Sequence, residues 1–215
     1  MSAPEVTVID YGVGNLLSVQ RGLEHCGAMV TVSSDSTQIL NAKRIVLPGV
    51  GAFGNAMRAL ERLGLVATIR EIAQRRTPLL GICLGMQLLM DESEEFGTTL
   101  GLGLIPGRVI PVPTKTVSNN PQKIPHIGWS ALQLSSAQTS WRGTLLENNK
   151  SGESAYFVHS FMVVPTNPAD HLADCIYGGH LVPATIRRDR ITGCQFHPEK
   201  SGEVGLKILR QFILQ

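Results

Sequence analysis

The stretch Pro78-Leu79-Leu80-Gly81-Ile82-Cys83-Leu84-Gly85-Met86-Gln87 decides the fold of this chain. Its apolar residues predict a buried strand over 78–82 and a short helix over 84–91. The junction has the G-x-nucleophile-x-G pattern of a nucleophile elbow, with Cys83 as the nucleophile. The glycines leave room for a tight turn, and the helix N-terminus favours a thiolate. Taken alone, the pattern fits a buried structural cysteine equally well.

Strand and helix patterns alternate before this stretch. Strands are predicted at 5–10, 28–33 and 43–47, and helices at 15–26 and 55–76, with Gly64 interrupting or capping the second helix. Strands separated by helices of this length predict βαβ crossovers and a mostly parallel sheet.

The C-terminal half contains short apolar runs divided by glycine, proline and asparagine. These predict strands, several of them antiparallel, at 104–112, 129–134, 156–164, 172–177, 182–187 and 191–196, and a final helix at 201–214. We therefore expect a single α/β domain over residues 1–215. Its mostly parallel central sheet is flanked by helices, and additional antiparallel strands lie in the C-terminal half.

Composition restricts the class of protein. The 215 residues are 43% hydrophobic and 17% charged, which is typical of a globular protein with a substantial core. A net charge of +2 without a basic run argues against a nucleic-acid partner. The apolar stretch at 78–90 is too short to span a bilayer, so no membrane partner is expected. Four cysteines without C-x-x-C spacing and no visible secretory signal predict free thiols, no metal site and a cytoplasmic location.

A base and an orienting carboxylate are predicted in Gln195-Phe196-His197-Pro198-Glu199, which follows the last predicted strand. Side chains at i and i+2 of an extended chain share a face, so His197 and Glu199 are placed to meet. Pro198 favours the extended conformation at His197. The segment alone also fits a surface turn, but together with the elbow it predicts a triad with Cys83.

The motif Pro48-Gly49-Val50-Gly51 follows the third predicted strand. Glycines just beyond a strand let backbone N–H groups face an active site, where they can bind an oxyanion. The N–H of Leu84 is the second predicted donor. A phosphate cradle is the competing use, but the G-x-x-x-x-G-K-[ST] pattern is absent.

Six ordered motifs resemble the class I, or triad-type, glutamine amidotransferases over nearly the whole chain. They are DYGVGNL (10–16), PGVGAF (48–53), GICLGMQ (81–87), PHIGW (125–129), YFVHS (156–160) and QFHPEKSG (195–202). The elbow and H-P-E identify the family, and the other motifs narrow the resemblance to the glutaminase subunits of imidazole glycerol phosphate synthase, in histidine biosynthesis. Ser130 and Phe161 depart from these subunits, which commonly have asparagine and tyrosine there.

The resemblance implies hydrolysis of L-glutamine to glutamate and ammonia through a thioester on Cys83. His197 would serve as acid and base, and Glu199 would orient it. The resemblance places the substrate head group against Gln87 and Glu95. Glu95 lies in an acidic run at 91–95 that, taken alone, fits a solvated face. The thioester route requires no metal and no organic cofactor.

The resemblance also implies a partner, a separate cyclase subunit that uses the ammonia, and hence a heterodimer. The segment around Ser160 is expected to line the glutamine pocket. Pro125, His126 and Trp129 are the expected partner contacts, although Trp129 fits a core aromatic residue equally well. We further hypothesise that partner binding sets a peptide flip in the loop at 48–51, which would make or break the oxyanion site.

Two alternative functions remain at this stage. In the first alternative the triad serves a different reaction: the chain is a glutaminase subunit of another synthase, or a cysteine hydrolase of γ-glutamyl or peptide bonds. In the second it is a non-catalytic regulatory subunit with an inert Cys83. Cys26, Cys175 and Cys194 are expected to be buried structural residues, and His126 and His159 have no assigned chemistry.

Overall fold

A computed structural model describes residues 3–215. The strands are β1 (Glu5–Ile9), β2 (Met29–Ser33), β3 (Ile45–Gly49), β4 (Leu79–Cys83), β5 (Glu92–Ser93), β6 (Thr99–Leu100), β7 (Gly107–Pro111), β8 (His126–Ala131), β9 (Gln133–Leu134), β10 (Ser154–His159), β11 (Phe161–Pro165), β12 (His171–Tyr177), β13 (His180–Arg188) and β14 (Ile191–Cys194). The helices are α1 (Leu16–His25), α2 (Ser36–Leu40), α3 (Phe53–Arg62), α4 (Leu65–Gln74), α5 (Leu84–Leu88) and α6 (Gly202–Ile213). Two 3₁₀ turns span Pro168–Asp170 and Pro198–Lys200.

An eight-stranded sheet forms the centre of the fold, in the order β2-β1-β3-β4-β14-β13-β12-β9. The strands from β2 to β14 are parallel, and β13, β12 and β9 extend the sheet antiparallel to their neighbours. Two smaller sheets, β10-β8 and β11-β7-β5-β6, come from the second half of the chain. The predicted fold class, a mostly parallel central sheet with additional antiparallel strands, is confirmed.

Strand register brings the three predicted motifs to one edge of the sheet. Gly49 at the end of β3 lies opposite Cys83 at the end of β4, and Ile82 lies opposite Cys194 at the end of β14. Because the three strands are parallel neighbours, the chain leaves all of them on the same side, where ligands bind in open α/β sheets.

Two hydrophobic cores cover the two faces of this sheet. On one face, strand residues such as Leu80 and Ile82 pack with buried residues of α1 and α6. On the other face, Leu47 and Leu79 pack with buried residues of α3 and α4. Successive residues of a strand belong to different cores because side chains alternate between the two faces of a sheet. Helices packed on both faces therefore hold β3 and β4 in place.

Several predicted element boundaries were wrong. The run at 156–164 is two strands, because β10 pairs with β8 whereas β11 pairs with β7 after the chain passes Ser160. Helix α2 was not predicted; it is only five residues long and is capped by Asp35, whose carboxylate accepts the N–H of Gln38. The predicted interruption at Gly64 is confirmed, since this residue has φ +67° between α3 and α4.

The described residues also show the state of the cysteines and the apolar character of the helices. Within 3–215, no helix combines the length and apolar character needed to cross a bilayer. All four cysteines in this range are free. Cys175 and Cys194 are buried as expected, but Cys26 is only half-buried, which corrects that prediction. Over the same residues, no cluster of three or more His, Cys, Asp and Glu side chains has the arrangement of a metal site.

Candidate active site

Cys83 lies at the turn between β4 and α5, with φ 55° and ψ −110°. This is an unfavourable conformation for a non-glycine residue, and such strain is common at active sites. The flanking glycines are a steric requirement. A Cβ on Gly81 would lie 2.7 Å from the Gly85 carbonyl oxygen, and a Cβ on Gly85 only 1.8 Å from the Leu47 carbonyl oxygen. The predicted elbow geometry is therefore present.

His197 and Glu199 form a buried pair beyond the end of β14. Nδ1 of His197 donates to Oε1 of Glu199 at 2.8 Å, and the two side chains are 4% and 1% exposed. The backbone of His197 is held by Tyr156 and Ser201, since its N–H donates to the Tyr156 carbonyl and its carbonyl accepts the Ser201 hydroxyl. Because Nδ1 is occupied, Nε2 is the nitrogen left for Cys83.

The electrostatics of His197 connect it to the thiol. Burial lowers its pKa, but interactions with Cys83 and with Glu199 outweigh burial and raise the pKa to about 9. Nε2 has no hydrogen-bond partner of standard geometry among the described residues, Cys83 included. Catalytic hydrogen bonds are often long before substrate binds, and the attraction between the two groups does not depend on ideal alignment. At neutral pH the site therefore favours an imidazolium beside the sulfur.

A cavity of about 310 Å³ opens beside the thiol. Its lining includes nine of the predicted site residues: Val50, Gly51, Cys83, Leu84, Gln87, Glu95, Pro125, Ser160 and His197. Val158, His159 and Phe161, which were not predicted as site residues, complete the lining. The structure thus brings residues from five separate motifs and the acidic run around one space large enough for a small amino acid.

Gly49 lies beneath the cavity rather than in its wall. A Cβ there would be 2.6 Å from the Tyr11 hydroxyl and 3.0 Å from the Leu84 Cβ, so the close approach requires glycine. The Tyr11 hydroxyl donates to the Pro48 carbonyl at 2.7 Å. Gly51 differs, because it has φ +93° and open space around the position of a Cβ. Close packing in the glycine loop is thus at Gly49, whereas the surroundings of Gly51 leave room for a change of conformation.

Glu95 has a structural contact that its sequence context did not indicate. Its Oε2 accepts the N–H of Phe53 at 2.6 Å, at the start of α3. Ala52 precedes that helix and provides no side-chain cap, so Glu95 supplies one from a distant segment. Glu95, which lines the cavity, is thereby hydrogen-bonded to Phe53, two positions after Gly51 of the glycine loop.

Gln87 uses both amide protons within the protein. Its Nε2 donates to the Phe161 carbonyl at 3.0 Å and to Oε1 of Gln195 at 3.1 Å. A carbonyl oxygen only accepts, so this orientation of the Gln87 amide is the one that satisfies the network. Its Oε1 is left for the cavity. The Phe161 departure does not affect this contact, which involves only the main chain.

Two histidines without predicted chemistry form a buried hydrogen-bonded chain. Nδ1 of His159 lies 2.8 Å from the Phe161 carbonyl, Nδ1 of His126 lies 3.0 Å from Nε2 of His159, and the Ser130 hydroxyl lies 2.9 Å from Nε2 of His126. The carbonyl must accept, so each Nδ1 carries the proton and Ser130 donates. Burial lowers the pKa of both histidines to about 4, which keeps them neutral.

The three predicted partner contacts differ in exposure. Trp129 is 58% exposed, so the interpretation as a core aromatic residue is wrong. Pro125 is half-buried at the cavity. His126 is 1% exposed and stacks on Tyr177 with 4.0 Å between ring centroids, so its side chain cannot make a surface contact. The two-residue period of β8 turns His126 inward and its neighbour Ile127, 52% exposed, outward.

Comparisons with known proteins identify the family of the chain. A family model, Glutamine amidotransferase class-I, matches residues 7–215. The subunit HisH 1 of imidazole glycerol phosphate synthase from Legionella pneumophila (strain Lens) is 49% identical, covering 97% of this chain and 98% of that protein. The HisH subunit from Geobacillus thermodenitrificans (strain NG80-2) is 47% identical, covering 97% of this chain and 94% of that protein.

Solved structures share the fold at low sequence identity. PurLQS from Thermotoga maritima has a TM-score of 0.73 and 18% identity, covering 99% of each chain. A glutamine amidotransferase from the same organism has a TM-score of 0.62 and 15% identity, covering 95% of this chain and 80% of that chain. At these identities the likeness concerns the fold alone.

Proposed function

Because the chain belongs to the class I glutamine amidotransferases, and within them to the HisH subunits of imidazole glycerol phosphate synthase, we propose that it releases ammonia from L-glutamine in the cavity beside Cys83. The ammonia passes to a separate cyclase subunit, which makes imidazole glycerol phosphate and aminoimidazole carboxamide ribotide. The two chains form a heterodimer in the cytoplasm.

The first half-reaction forms a thioester. The Cys83 thiolate attacks the side-chain amide carbon of glutamine, and the carbonyl oxygen becomes an oxyanion held by backbone N–H groups of Leu84 and the glycine loop. His197, as imidazolium, gives its Nε2 proton to the amide nitrogen. The carbon–nitrogen bond breaks, ammonia leaves and a glutamyl thioester remains.

The second half-reaction returns the enzyme to its starting state. Neutral His197 takes a proton from water, and the resulting hydroxide attacks the thioester carbon. The carbon–sulfur bond breaks, the thiolate is restored and glutamate leaves. Glu199 stabilises the charged imidazole at both stages and holds its tautomer. The sum is glutamine plus water giving glutamate plus ammonia.

Substrate orientation falls to the cavity walls. Gln87 has only its Oε1 available, so it accepts a hydrogen bond from the amino or amide group of glutamine. The carboxylate of Glu95 supplies negative charge for the substrate ammonium, and Ser160 also lines the cavity. The buried His197–Glu199 pair facing a strained Cys83 is the single observation that carries this proposal.

The deciding measurement is glutamate release from L-glutamine by the chain alone and with a cyclase subunit plus its nucleotide ligand. Low activity alone and strong stimulation in the complex are expected. Cys83→Ala is expected to abolish release, and Cys175→Ala, which alters another buried free cysteine outside the cavity lining, serves as a folded control. Full activity without a partner would favour a free-standing glutaminase, and an inactive complex of folded chains would favour the regulatory alternative.

The switch hypothesis for the glycine loop is best tested at Gly51. Gly49→Ala would clash with Tyr11 and Leu84 in the conformation observed here, so a loss of activity in that variant would not be specific to a flip. Gly51→Ala has space but an unfavourable positive φ, so it changes the balance between loop conformations. If stimulation by the cyclase is unchanged in Gly51→Ala, the loop is not the switch.

A further inference from the structure

Gln195 is fully buried just beyond the end of β14, two residues before His197. It does not belong to the described residues that line the cavity, so it has no direct contact with a bound substrate. Its Nε2 lies 3.8 Å from the sulfur of Cys83, within hydrogen-bond range for a sulfur acceptor. A buried amide aimed at the reacting atom is not needed for packing alone.

The orientation of this amide follows from its neighbours. The Phe161 carbonyl can only accept, so Gln87 must present its Nε2 there, and the second proton of that Nε2 points to Gln195. Gln195 must therefore place its oxygen toward Gln87 and its N–H toward Cys83. The opposite orientation would bring two donors together at 3.1 Å.

The sulfur has a second polar neighbour, which favours the protonated thiol rather than the thiolate. The Val158 carbonyl lies 3.8 Å from Sγ and accepts from the protonated thiol. When the thiol ionises, that hydrogen bond is lost and a lone pair faces the negative sulfur. The hydrogen bond from the Gln195 N–H to the sulfur becomes stronger when the thiol ionises, because hydrogen bonds to ionised groups are stronger.

We propose that Gln195 is a catalytic residue of this site that donates a hydrogen bond to the Cys83 thiolate, with Gln87 holding its amide in the donating orientation. The inference deepens the proposed function and rests on the thiolate mechanism. The N–H stabilises the sulfur anion before attack and again when the thioester is hydrolysed and sulfur is the leaving group.

The test follows alkylation of Cys83 by iodoacetamide as a function of pH in the full chain, with Cys83 identified by peptide mass spectrometry. Gln195→Met removes the donor with little change in volume. Gln195→Glu keeps the oxygen that Gln87 requires but replaces the N–H with a second oxygen. The other titratable groups that interact with the sulfur, His197 and Tyr11, are unchanged in both variants.

The alkylation midpoint is expected to rise by about one pH unit in Gln195→Met, since one hydrogen bond to a charged group changes ionisation about tenfold. In Gln195→Glu it is expected to rise further, because the carboxylate repels the thiolate. Cys194→Ala alters the adjacent buried residue of the same segment and is expected to leave the midpoint unchanged. In the cyclase complex, kcat for glutamine is expected to fall about tenfold in Gln195→Met, with KM nearly constant.

A midpoint that stays at the unmodified value in whichever of the two Gln195 variants folds overturns the inference. The outcome is separate from the fate of the proposed function, because alkylation requires no glutamine turnover. If the unmodified complex releases no glutamate but the midpoint still rises in the variants, the glutaminase assignment fails and the role of Gln195 stands.

Discussion

The raised pKa of His197 makes a quantitative prediction about two replacements, Cys83→Ala and Glu199→Gln. Burial lowers this pKa, Cys83 provides the largest opposing contribution and Glu199 the next, and the result is about 9 instead of the usual 6.5. That difference corresponds to about 3 kcal/mol in favour of the imidazolium. At pH 8, the imidazolium fraction is about 90% with a pKa of about 9 and about 3% with a pKa of 6.5.

Each replacement is expected to lower the pKa of His197, and Cys83→Ala to lower it more. In the double variant both groups that raise the pKa of His197 are gone and only the effect of burial remains. Its pKa is therefore expected below 6.5. The assay is an NMR titration of the histidine rings in ¹⁵N-labelled protein, with the His197 signal assigned by its absence in His197→Asn. Glu199→Gln keeps an oxygen for Nδ1, so the geometry of the ring is retained.

Two results would refute this reasoning. A midpoint of 6.5 or lower in the unmodified chain would mean that burial outweighs both partners. An unchanged midpoint in Cys83→Ala would mean that the sulfur does not interact with the imidazole, and the predicted triad would lose its central contact.

Two further predictions concern stability. Gly85→Ala is expected to destabilise the fold by about 4 kcal/mol or more in urea denaturation, because its Cβ would lie 1.8 Å from the Leu47 carbonyl oxygen. His126 and His159 have a folded pKa of about 4, below the unfolded value, so the stability they contribute is present above pH 6.5 and lost as the pH falls toward 4. Between pH 7 and pH 5 this loss is about 2 to 4 kcal/mol, and His126→Gln is expected to reduce it relative to the unmodified chain.

Matched controls make both stability experiments decisive. Gly54→Ala meets only the flexible ends of Arg58 and Thr99, at 3.3 and 3.5 Å, and is expected to keep or slightly raise stability. A Gly85→Ala chain as stable as the Gly54→Ala chain would contradict the packing argument at the elbow. Equal pH dependence in His126→Gln and the unmodified chain would contradict the neutral state of the buried histidines.

Much of the site was predictable because its signals are local. The steric demands of a strand-to-helix turn select glycine around Cys83, and these demands act within five residues. The spacing of His197 and Glu199 predicted their contact because the i, i+2 geometry of an extended chain is short-range. Gln195 lies two residues before His197, so the same periodicity places the two side chains on one face of the chain. This periodicity did not indicate which residue Gln195 would contact.

The rest depended on which segments become neighbours. The chain changes sheets at Ser160, and no local pattern indicates that β10 pairs with β8 while β11 pairs with β7. The burial of His126 and the exposure of Trp129 follow from that pairing.

The sequence by itself determined the parallel strands of the central sheet, the elbow at Cys83 and the contact of His197 with Glu199. These depend on backbone sterics and periodicity over a few residues. The tertiary structure alone decided the cap from Glu95 to α3 and the contact by which Gln87 orients the Gln195 amide toward the sulfur. Those contacts join segments 42 to 112 residues apart, and their geometry exists only after the sheet has set the distance between strands.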